Sequence, residues 1–370
     1  MRLVPIRGGS PVEVAARVAR ARAGGGVPLV GDDRWSPEHW ERVTAAAAAV
    51  APRPGIAWAA VTSGSSGTPR IVLRTHESWA ASFPVVSELL QADPEDVVAL
   101  PAPPVSSLTL FSLAHAAEGG PRPALPRRHA AVPGDFADAT CFHGTPQALR
   151  ALLDAGAPRG LRAALVGGSH LDPALRARAA DQGIRVVSYY GAAELSFVAA
   201  DAGDGLAPLP GVDLDIRAGE LWARSPYVAA SYADGPLRTA GAWVTAGDRA
   251  ELRDGRLRLL GRSDDAILSA SATVVPEEVE AQLRALPGVR DAVVVGLPHP
   301  ALGAMVAALI EPDGDLDADG LRAAAAAQLA PAHRPRRWFA GEAPRTASGK
   351  PARSVLVARI LAGEVRPLGR

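Results

Sequence analysis

A serine- and glycine-rich loop follows the apolar run 56–61 and offers the groups that bind phosphate. Residues 62–70 read Thr-Ser-Gly-Ser-Ser-Gly-Thr-Pro-Arg. Backbone amides, hydroxyl groups and a cation so close together are complementary to a polyphosphate. The loop lacks the Gly-Lys-Ser/Thr ending of a Walker loop, and no Gly-x-Gly-x-x-Gly pattern opens a helix after a strand. A flexible linker is the alternative. The predicted phosphate-binding residues are Thr62, Ser63, Gly64, Ser65, Ser66, Gly67, Thr68 and Arg70.

Lys350 is the second candidate for chemistry, because the chain contains no other lysine. Of the 39 basic residues, the other 38 are arginine. Lys350 ends the segment Pro-Arg-Thr-Ala-Ser-Gly-Lys at 344–350, which is rich in turn residues. An ammonium is a compact, mobile charge that a planar guanidinium cannot replace beside a crowded phosphate or carboxylate. The pattern indicates a catalytic cation rather than a chance survivor.

Alternating helices and strands must position these groups. Periodicity predicts helices at 12–23 and 37–50, and short apolar runs predict buried parallel strands at 27–30 and 56–61. The alternation of strands and helices continues to about Tyr190, and short strands with turns follow. This order predicts an α/β fold with a small β-rich subdomain.

The remaining third of the chain changes in character. After Arg262 come about one hundred residues with mixed helix and strand patterns, a plausible small domain by length. We therefore expect a large N-terminal α/β domain at 1–262 and a small α+β C-terminal domain at 263–370.

Composition excludes several classes of function. The 39 basic and 39 acidic side chains cancel, so no global field favours nucleic acid or an anionic membrane. A single cysteine, Cys141, cannot form an internal disulfide or a cysteine metal cluster. Prolines interrupt the longest uncharged run, 97–117, which we interpret as buried strand and loop. The first residues do not resemble a secretion signal, so we expect a cytoplasmic protein without nucleic-acid or membrane partners.

Further motifs occur in a consistent order between the phosphate loop and Lys350. They are Gly167-Gly168-Ser169, Tyr189-Tyr190-Gly191-Ala192-Ala193-Glu194, Trp243-Val244-Thr245-Ala246-Gly247-Asp248, Gly261-Arg262-Ser263-Asp264-Asp265 and Pro276-Glu277-Glu278-Val279-Glu280. Together with the phosphate loop and Lys350, these motifs resemble those of the superfamily of adenylate-forming enzymes, which includes acyl-CoA synthetases, nonribosomal-peptide adenylation domains and luciferases. The resemblance covers residues 56–361, and the short bacterial acyl-CoA synthetases are the nearest type.

The resemblance implies a role for each motif. Lys350 and Glu194 would be catalytic, and Glu194 would also bind Mg²⁺, which prefers oxygen ligands. Asp264 would be the hinge about which the small, mobile domain rotates between two half reactions. The residues implied in adenine, ribose and neighbouring contacts are Gly168, Ser169, His170, Tyr190, Gly191, Asp248 and Arg262.

The resemblance also places an acyl pocket beside the nucleotide. Its residues would include His143, Ser107 and Phe197, and the surrounding segments are mostly apolar and small. No acidic residue stands where amino-acid-activating relatives hold an α-amine, so an uncharged acyl or aryl tail fits better. His143 is interpreted as pocket lining rather than a general base, because an ionised carboxylate needs none.

The function implied is that of an AMP-forming acid–thiol ligase, which uses ATP and Mg²⁺ to activate a carboxylic acid and transfers the acyl group to CoA. An apolar or fatty acid is the favoured substrate. Alternatives are an o-succinylbenzoate-CoA ligase of menaquinone biosynthesis, an enzyme that stops at the adenylate or passes it to a carrier protein or an amine, and a non-catalytic nucleotide-binding partner. The segment 268–272 stands where relatives have glycines that admit the pantetheine arm. The N-terminal subdomain is shorter than in full-length relatives, and the oligomeric state is open, a dimer included.

Overall fold

The computed structural model describes residues 2–51, 53–62, 70–128, 131–168, 171–262, 267–269, 272–300, 302–346 and 349–369. Its first half alternates strands and helices. In chain order these are β1 (Leu3–Ile6), α1 (Pro11–Ala23), β2 (Val27–Val30), α2 (Pro37–Ala48), β3 (Ile56–Thr62), β4 (Arg70–Thr75), α3 (His76–Ala80), α4 (Phe83–Leu90), β5 (Val97–Ala99), α5 (Ser107–Ala117), β6 (Arg122–Ala124), β7 (Cys141–Gly144), α6 (Pro146–Asp154), β8 (Ala163–Val166), α7 (Pro173–Asp181), β9 (Arg185–Ala192), β10 (Ser196–Asp201) and β11 (Ala207–Pro208), with a 3₁₀ turn at Pro133–Phe136.

Short strands dominate the next stretch, and helices return near the C-terminus. In chain order these elements are β12 (Asp213–Arg217), β13 (Glu220–Arg224), β14 (Ser231–Tyr232), β15 (Arg238–Ala240), β16 (Trp243–Thr245), β17 (Asp248–Arg253), β18 (Arg256–Arg262), β19 (Ile267–Ser269), β20 (Ala272–Val274), α8 (Pro276–Arg284), β21 (Val289–His299), β22 (Gly303–Pro312), α9 (Ala318–Gln328), β23 (Arg337–Ala340) and α10 (Arg353–Leu361).

Two sheets carry the candidate site residues of the first half. The N-terminal sheet has the order β1-β2-β3-β4-β14, and the central sheet has the order β11-β10-β9-β8-β7-β5-β6. The strands from β9 to β6 are parallel, as their buried apolar sequences predict, whereas β10 and β11 are antiparallel. The predicted α/β fold class is confirmed.

Two further sheets follow. Strands β15-β16-β13-β17-β18, with β12 beside β13, form the β-rich sheet, and β20-β19-β22-β21, with β23 beside β22, form the C-terminal sheet. Both faces of strand β21 are covered. Val294 packs with Val279 and Leu283 of α8 on one face, while Val293 packs with Leu356 of α10 on the other. A sheet covered on both faces requires such a continuous apolar run.

By compactness the chain divides into two units. The first is Met1–Ala246 with Leu252–Arg258 and Ala347–Lys350, and the second is Gly247–Glu251, Leu259–Thr346 and Pro351–Arg370. The predicted boundary after residue 262 stays a prediction.

Two details differ from the sequence interpretation. Residues 107–117 form α5 instead of the predicted loop. The prolines of this run end at Pro104, so nothing after it prevents a helix from continuing. Strand β3 is parallel to β2 but antiparallel to β4, so the strand expected to be purely parallel is half of a hairpin.

Two features of the structure concern thiol chemistry and membrane spans, which the sequence argued against. Cys141 is fully buried on β7, and burial raises the pKa of its thiol to about 12. Among the residues that the structure describes, no helix has the length and apolar character needed to cross a bilayer.

Candidate active site

The predicted phosphate loop connects the two strands of the β3–β4 hairpin. Thr62 ends β3 and Arg70 begins β4, and these two residues face each other in the antiparallel register. The other predicted phosphate ligands, Ser63, Gly64, Ser65, Ser66, Gly67 and Thr68, lie outside the described residues. The hairpin therefore defines where the loop leaves and re-enters the N-terminal sheet.

Arg70, Tyr232 and Glu194 meet beside this hairpin. Strand β14 pairs with β4 so that Tyr232 lies opposite Val72. The Arg70 guanidinium carbon lies 4.6 Å from the centre of the Tyr232 ring, within cation–π range. The Tyr232 hydroxyl donates a hydrogen bond to Glu194 Oε1 at 3.0 Å. The structure thus brings the end of the predicted phosphate loop together with the predicted metal ligand.

The Tyr232 hydroxyl stays protonated in this environment. Burial raises its pKa, the nearby Glu194 carboxylate raises it further, and together they bring it to about 12. A protonated phenol can donate to a carboxylate over the whole physiological pH range. Tyr232 therefore holds Glu194 through one oxygen.

Arg74 forms hydrogen bonds with the backbone at and near Glu194. Its side chain is fully buried, four residues after Arg70 on the same face of β4. Its guanidinium donates to the carbonyl oxygens of Ala193 at 3.1 Å, Glu194 at 3.3 Å and Tyr227 at 2.8 Å. Burial lowers the pKa of Arg74 to about 9, so the group remains charged at neutral pH.

The turn that carries Glu194 connects β9 and β10 and has a crowded backbone. A Cβ at Gly191 would lie 2.3 Å from the carbonyl oxygen of Ser196, so only glycine fits there. Ser196 itself adopts φ of 60°, in the left-handed region. The close approach of the two strands explains the glycine of the Tyr-Tyr-Gly motif without a ligand.

A buried aromatic cluster lies at the carboxyl ends of β7 and β9. The rings of Tyr189 and Phe197 lie 4.6 Å apart, and Phe111 of α5 lies 4.7 Å from Phe197. His143 Nδ1 lies 2.8 Å from Ser112 Oγ, and its Nε2 lies 3.1 Å from the Tyr189 hydroxyl. The carboxyl ends of parallel strands are where α/β sheets bind ligands.

The histidine of this cluster carries no charge. His143 is fully buried, and burial lowers its pKa to about 3. A neutral imidazole with both nitrogens in hydrogen bonds is a packed polar group. The structure brings the predicted pocket residues His143 and Phe197 together, while Ser107 lies half-exposed at the first turn of α5.

The residues predicted to bind adenine and ribose lie in several elements. Tyr189 points to the aromatic cluster, and a Cβ at Gly167 would lie 2.3 Å from its ring. Alternation along β9 places Tyr190 on the opposite face, where it is half-buried. Gly168 follows β8 with φ of 91°, and Asp248 begins β17. Arg262 ends β18, and the predicted residues outside the description are Ser169, His170 and the hinge Asp264.

Lys350 is exposed, near the end of a segment that closes on itself. Arg345 and Pro351 form an antiparallel bridge, and the Ala352 amide donates to the Pro344 carbonyl at 2.7 Å. These two contacts join residues 344–345 to residues 351–352, so the two ends of the segment that carries Lys350 are held together.

Comparison with family models decides what these features belong to. The AMP-binding enzyme model matches residues 18–233, and the AMP-binding enzyme C-terminal domain model matches residues 278–350. This chain belongs to the AMP-binding enzyme family. The predicted resemblance to adenylate-forming enzymes is confirmed.

Several relatives within the AMP-binding family are carboxylic acid–CoA ligases. The 2-succinylbenzoate–CoA ligase of Salmonella typhimurium is 33% identical over 269 residues, which cover 68% of this chain and 57% of that ligase. Feruloyl-CoA synthase from Amycolatopsis is 30% identical over 350 residues, covering 82% of this chain and 68% of the synthase. The chain thus matches less than two thirds of the length of the succinylbenzoate ligase.

Comparison with solved structures agrees with the family models. A solved E. coli MenE variant with bound OSB-AMS superposes with a TM-score of 0.84 at 23% identity, covering 97% of this chain and 87% of that one. This likeness supports the AMP-binding fold from end to end of the chain.

Two residues of the candidate site escape sequence analysis. Tyr232 lies 38 residues after Glu194 in the chain, and Arg74 directly follows three apolar residues of β4. The only sequence signal was the spacing of Arg70 and Arg74, which places two cations on one face of a strand.

Proposed function

We propose that this protein is an ATP-dependent, AMP-forming acid–thiol ligase. The observation that carries the proposal is the convergence of Arg70, Tyr232 and Glu194 at the hairpin of the predicted phosphate loop. A cation and a carboxylate at the two sides of one tyrosine suit a phosphate chain and its counter-ion. Membership of the AMP-binding family supports the same chemistry.

The reaction proposed has two steps. The substrate carboxylate attacks the α-phosphorus of ATP, a new carboxyl-oxygen–phosphorus bond forms, and pyrophosphate leaves. The thiol of CoA then attacks the acyl carbon, a thioester forms, AMP leaves, and the thiol proton passes to solvent. Attack on ATP by a carboxylate requires alignment of two anions, which Lys350 assists by neutralising charge.

Glu194 fits a magnesium ion that ATP itself brings. One carboxylate oxygen accepts from Tyr232, and no group of three or more His, Cys, Asp or Glu side chains in the described part of the chain forms a metal cage. Mg²⁺ is usually held by one or two carboxylates together with substrate phosphates and water. When bound, it would neutralise phosphate charge during adenylation.

The remaining site assignments belong to this proposal. Tyr190 and Gly191 would contact adenine, Asp248 and Arg262 would hold ribose, and Gly168 with its two neighbours would line the base and acyl carbonyl. Rotation of the C-terminal domain about Asp264 and a cytoplasmic location remain predictions.

The proposed substrate is an acid with an apolar acyl or aryl tail. The predicted pocket residues Phe197 and His143 pack among the Phe111 and Tyr189 rings, and His143 is neutral, so the surroundings suit an apolar tail. A second candidate is 2-succinylbenzoate, which the 33% identity to the Salmonella ligase favours. CoA is the proposed acceptor, with a carrier protein as the alternative.

A carboxylate panel tests the proposal. Octanoate, ferulate, 2-succinylbenzoate and an α-amino acid are each assayed for pyrophosphate release with and without CoA, with Lys350→Ala as the inactive control. We expect pyrophosphate release with an apolar acid and thioester only when CoA is present. Release without any thioester would favour the carrier-protein or adenylate-only alternative, and no release with any acid would refute the proposal.

A further inference from the structure

Arg345 and Arg353 flank Lys350 in the sequence, and we call residues 345–353 the Lys350 segment. A continuous series of ion pairs within the second unit joins these two arginines. It begins at Arg345, whose Nη2 lies 2.5 Å from Asp291 Oδ2. Asp291 Oδ1 lies 2.8 Å from Arg284 Nε. Arg284 Nη2 lies 3.0 Å from Glu280 Oε2, and Glu280 Oε1 contacts Arg353 Nη1. We call these five residues the ion-pair chain.

The ion-pair chain is fixed to the backbone of the second unit. Glu280 lies on α8, is 2% exposed, and accepts a hydrogen bond from the Val294 amide at 2.8 Å. Arg353 donates to the Val294 carbonyl at 2.9 Å. Asp291 accepts from the Ala292 amide at 2.8 Å. Strand β21 and helix α8 therefore serve as a rigid base for both arginines.

Each terminal arginine has a second carboxylate partner. Arg345 lies 3.2 Å from Glu311 Oε1, and Arg353 Nη2 lies 2.7 Å from Glu277 Oε1. The Arg345 and Arg353 side chains are only 13% and 18% exposed. Ion pairs at such buried positions hold their geometry more strictly than exposed pairs, because breaking one leaves an uncompensated charge.

Electrostatics agrees with this geometry. Burial by itself would raise the pKa of Asp291, but Arg284 and Arg345 keep it below its usual value. Burial alone would lower the pKa of Arg353, but Glu280 and Glu277 raise it above the usual value. Asp291 and Arg353 are therefore ionised at neutral pH.

We propose that Arg345 and Arg353 are positioning residues for Lys350, which hold the ends of its segment at a fixed separation so that the ammonium reaches the reacting phosphate in the adenylation step. This inference rests on the proposed function for its catalytic part. Alignment is what such a residue contributes, since a shift of about 1 Å can reduce a rate about a hundredfold. Lys350 follows this geometry closely because it precedes Pro351, the bridge partner of Arg345.

Because Lys350 is the single lysine, the backbone order at this residue can be measured directly. Protein grown with ¹⁵N-lysine gives one labelled backbone amide, that of Lys350, whose ¹H–¹⁵N heteronuclear NOE reports fast backbone motion. The NOE is compared in the wild type, Arg345→Met and Arg353→Met, which all keep Lys350 as the sole lysine, whereas Arg353→Lys adds a second labelled amide and is used only in the rate assays. The matched control is Arg359→Met, because Arg359 lies on the same helix α10 and pairs with Glu364 at 3.7 Å on the exposed surface.

The same variants are assayed in both half reactions. In Arg345→Met and Arg353→Met we expect a lower NOE and a fall of about tenfold in kcat for pyrophosphate exchange, with KM for ATP within about twofold of the wild type. Thioester formation from a preformed adenylate should change by less than about twofold. Arg353→Lys keeps the charge and should recover part of the exchange rate. The control should match the wild type.

Several results would overturn the inference. An unchanged NOE in both methionine variants would do so, as would a parallel fall of both half reactions, which indicates general destabilisation. If the methionine variants do not fold, Arg353→Lys and Arg345→Lys decide through the rates: wild-type kcat for pyrophosphate exchange in both would contradict positioning by paired geometry. A wild type that adenylates no acid would refute the proposed function instead, while the NOE comparison would still test the ordering of Lys350.

Discussion

The Glu194 turn and the Lys350 segment are both held by buried arginines, but the acceptors differ. Arg74 donates to the carbonyl oxygens of three residues around Glu194. Arg345 and Arg353 instead pair with carboxylates of the ion-pair chain. Carbonyl groups do not titrate, whereas carboxylates lose their charge in acid. The first region is therefore unaffected by acid, because Arg74 stays charged below its pKa of about 9, whereas the second loses the charge of its acceptors in acid.

The largest expected effect belongs to the lysine itself. Lys350→Ala and Lys350→Arg should each lower the rate of adenylate formation at least about a hundredfold, because a contact made to charge in the transition state is lost or misplaced. The measurement is acid-dependent pyrophosphate exchange, and consumption of a preformed adenylate is the control, which should be unaffected. Normal exchange in either variant would contradict the assignment of Lys350.

Arg74→Met tests the region held by carbonyl groups. We expect the free energy of unfolding to fall by about 2 kcal/mol, since buried carbonyl oxygens of Ala193 and Tyr227 lose their donor. Urea unfolding measures the change. The control is Arg178→Met, which removes an exposed pair with Asp154 and should cost less than about 1 kcal/mol. Equal losses in the two variants would show that Arg74 has no special role.

Tyr232→Phe isolates the hydrogen bond to Glu194 while it keeps the ring beneath Arg70. We expect about a tenfold loss in adenylation and a higher Mg²⁺ concentration for half-maximal rate, because a carboxylate loses its charge-assisted hydrogen bond. Mg²⁺ titration of pyrophosphate exchange measures both. Stability should change little, so a large drop in Tm with an unchanged Mg²⁺ requirement would indicate a purely structural role.

Asp291→Asn tests the charge dependence of the Lys350 region. The pKa of Asp291 is lowered in the folded state, so its stabilising contribution is present above about pH 4 and is lost as the pH falls through the folded value. We expect the variant to be about 1 kcal/mol less stable than the wild type at pH 7, and the difference to vanish in strong acid. Urea unfolding from pH 7 down into strong acid measures both, and a difference that stays constant over the whole range would contradict ionic anchoring.

Local patterns predicted the strands and the ends of the phosphate loop, because burial and turn chemistry are local. The prediction of a loop at 107–117 was wrong, because the prolines of the uncharged run all lie before residue 107 and the residues that follow are compatible with a helix. The contacts of Tyr232, Arg345 and Arg353 could not be predicted, because their partners Glu194, Asp291 and Glu280 lie 38, 54 and 73 residues away in sequence and are brought together only by the fold. In a chain so rich in arginine, a structural arginine also looks like a surface one.

Burial of Cys141 has a practical consequence. The chain has no other thiol, and this one is enclosed within β7 with its pKa raised to about 12. Thiolates, not thiols, react with maleimides and other electrophiles, so the native side chain should stay unmodified under ordinary labelling conditions. A cysteine introduced at an exposed position would then be the sole site of attachment for a fluorophore or spin label, without any need to remove a core residue first.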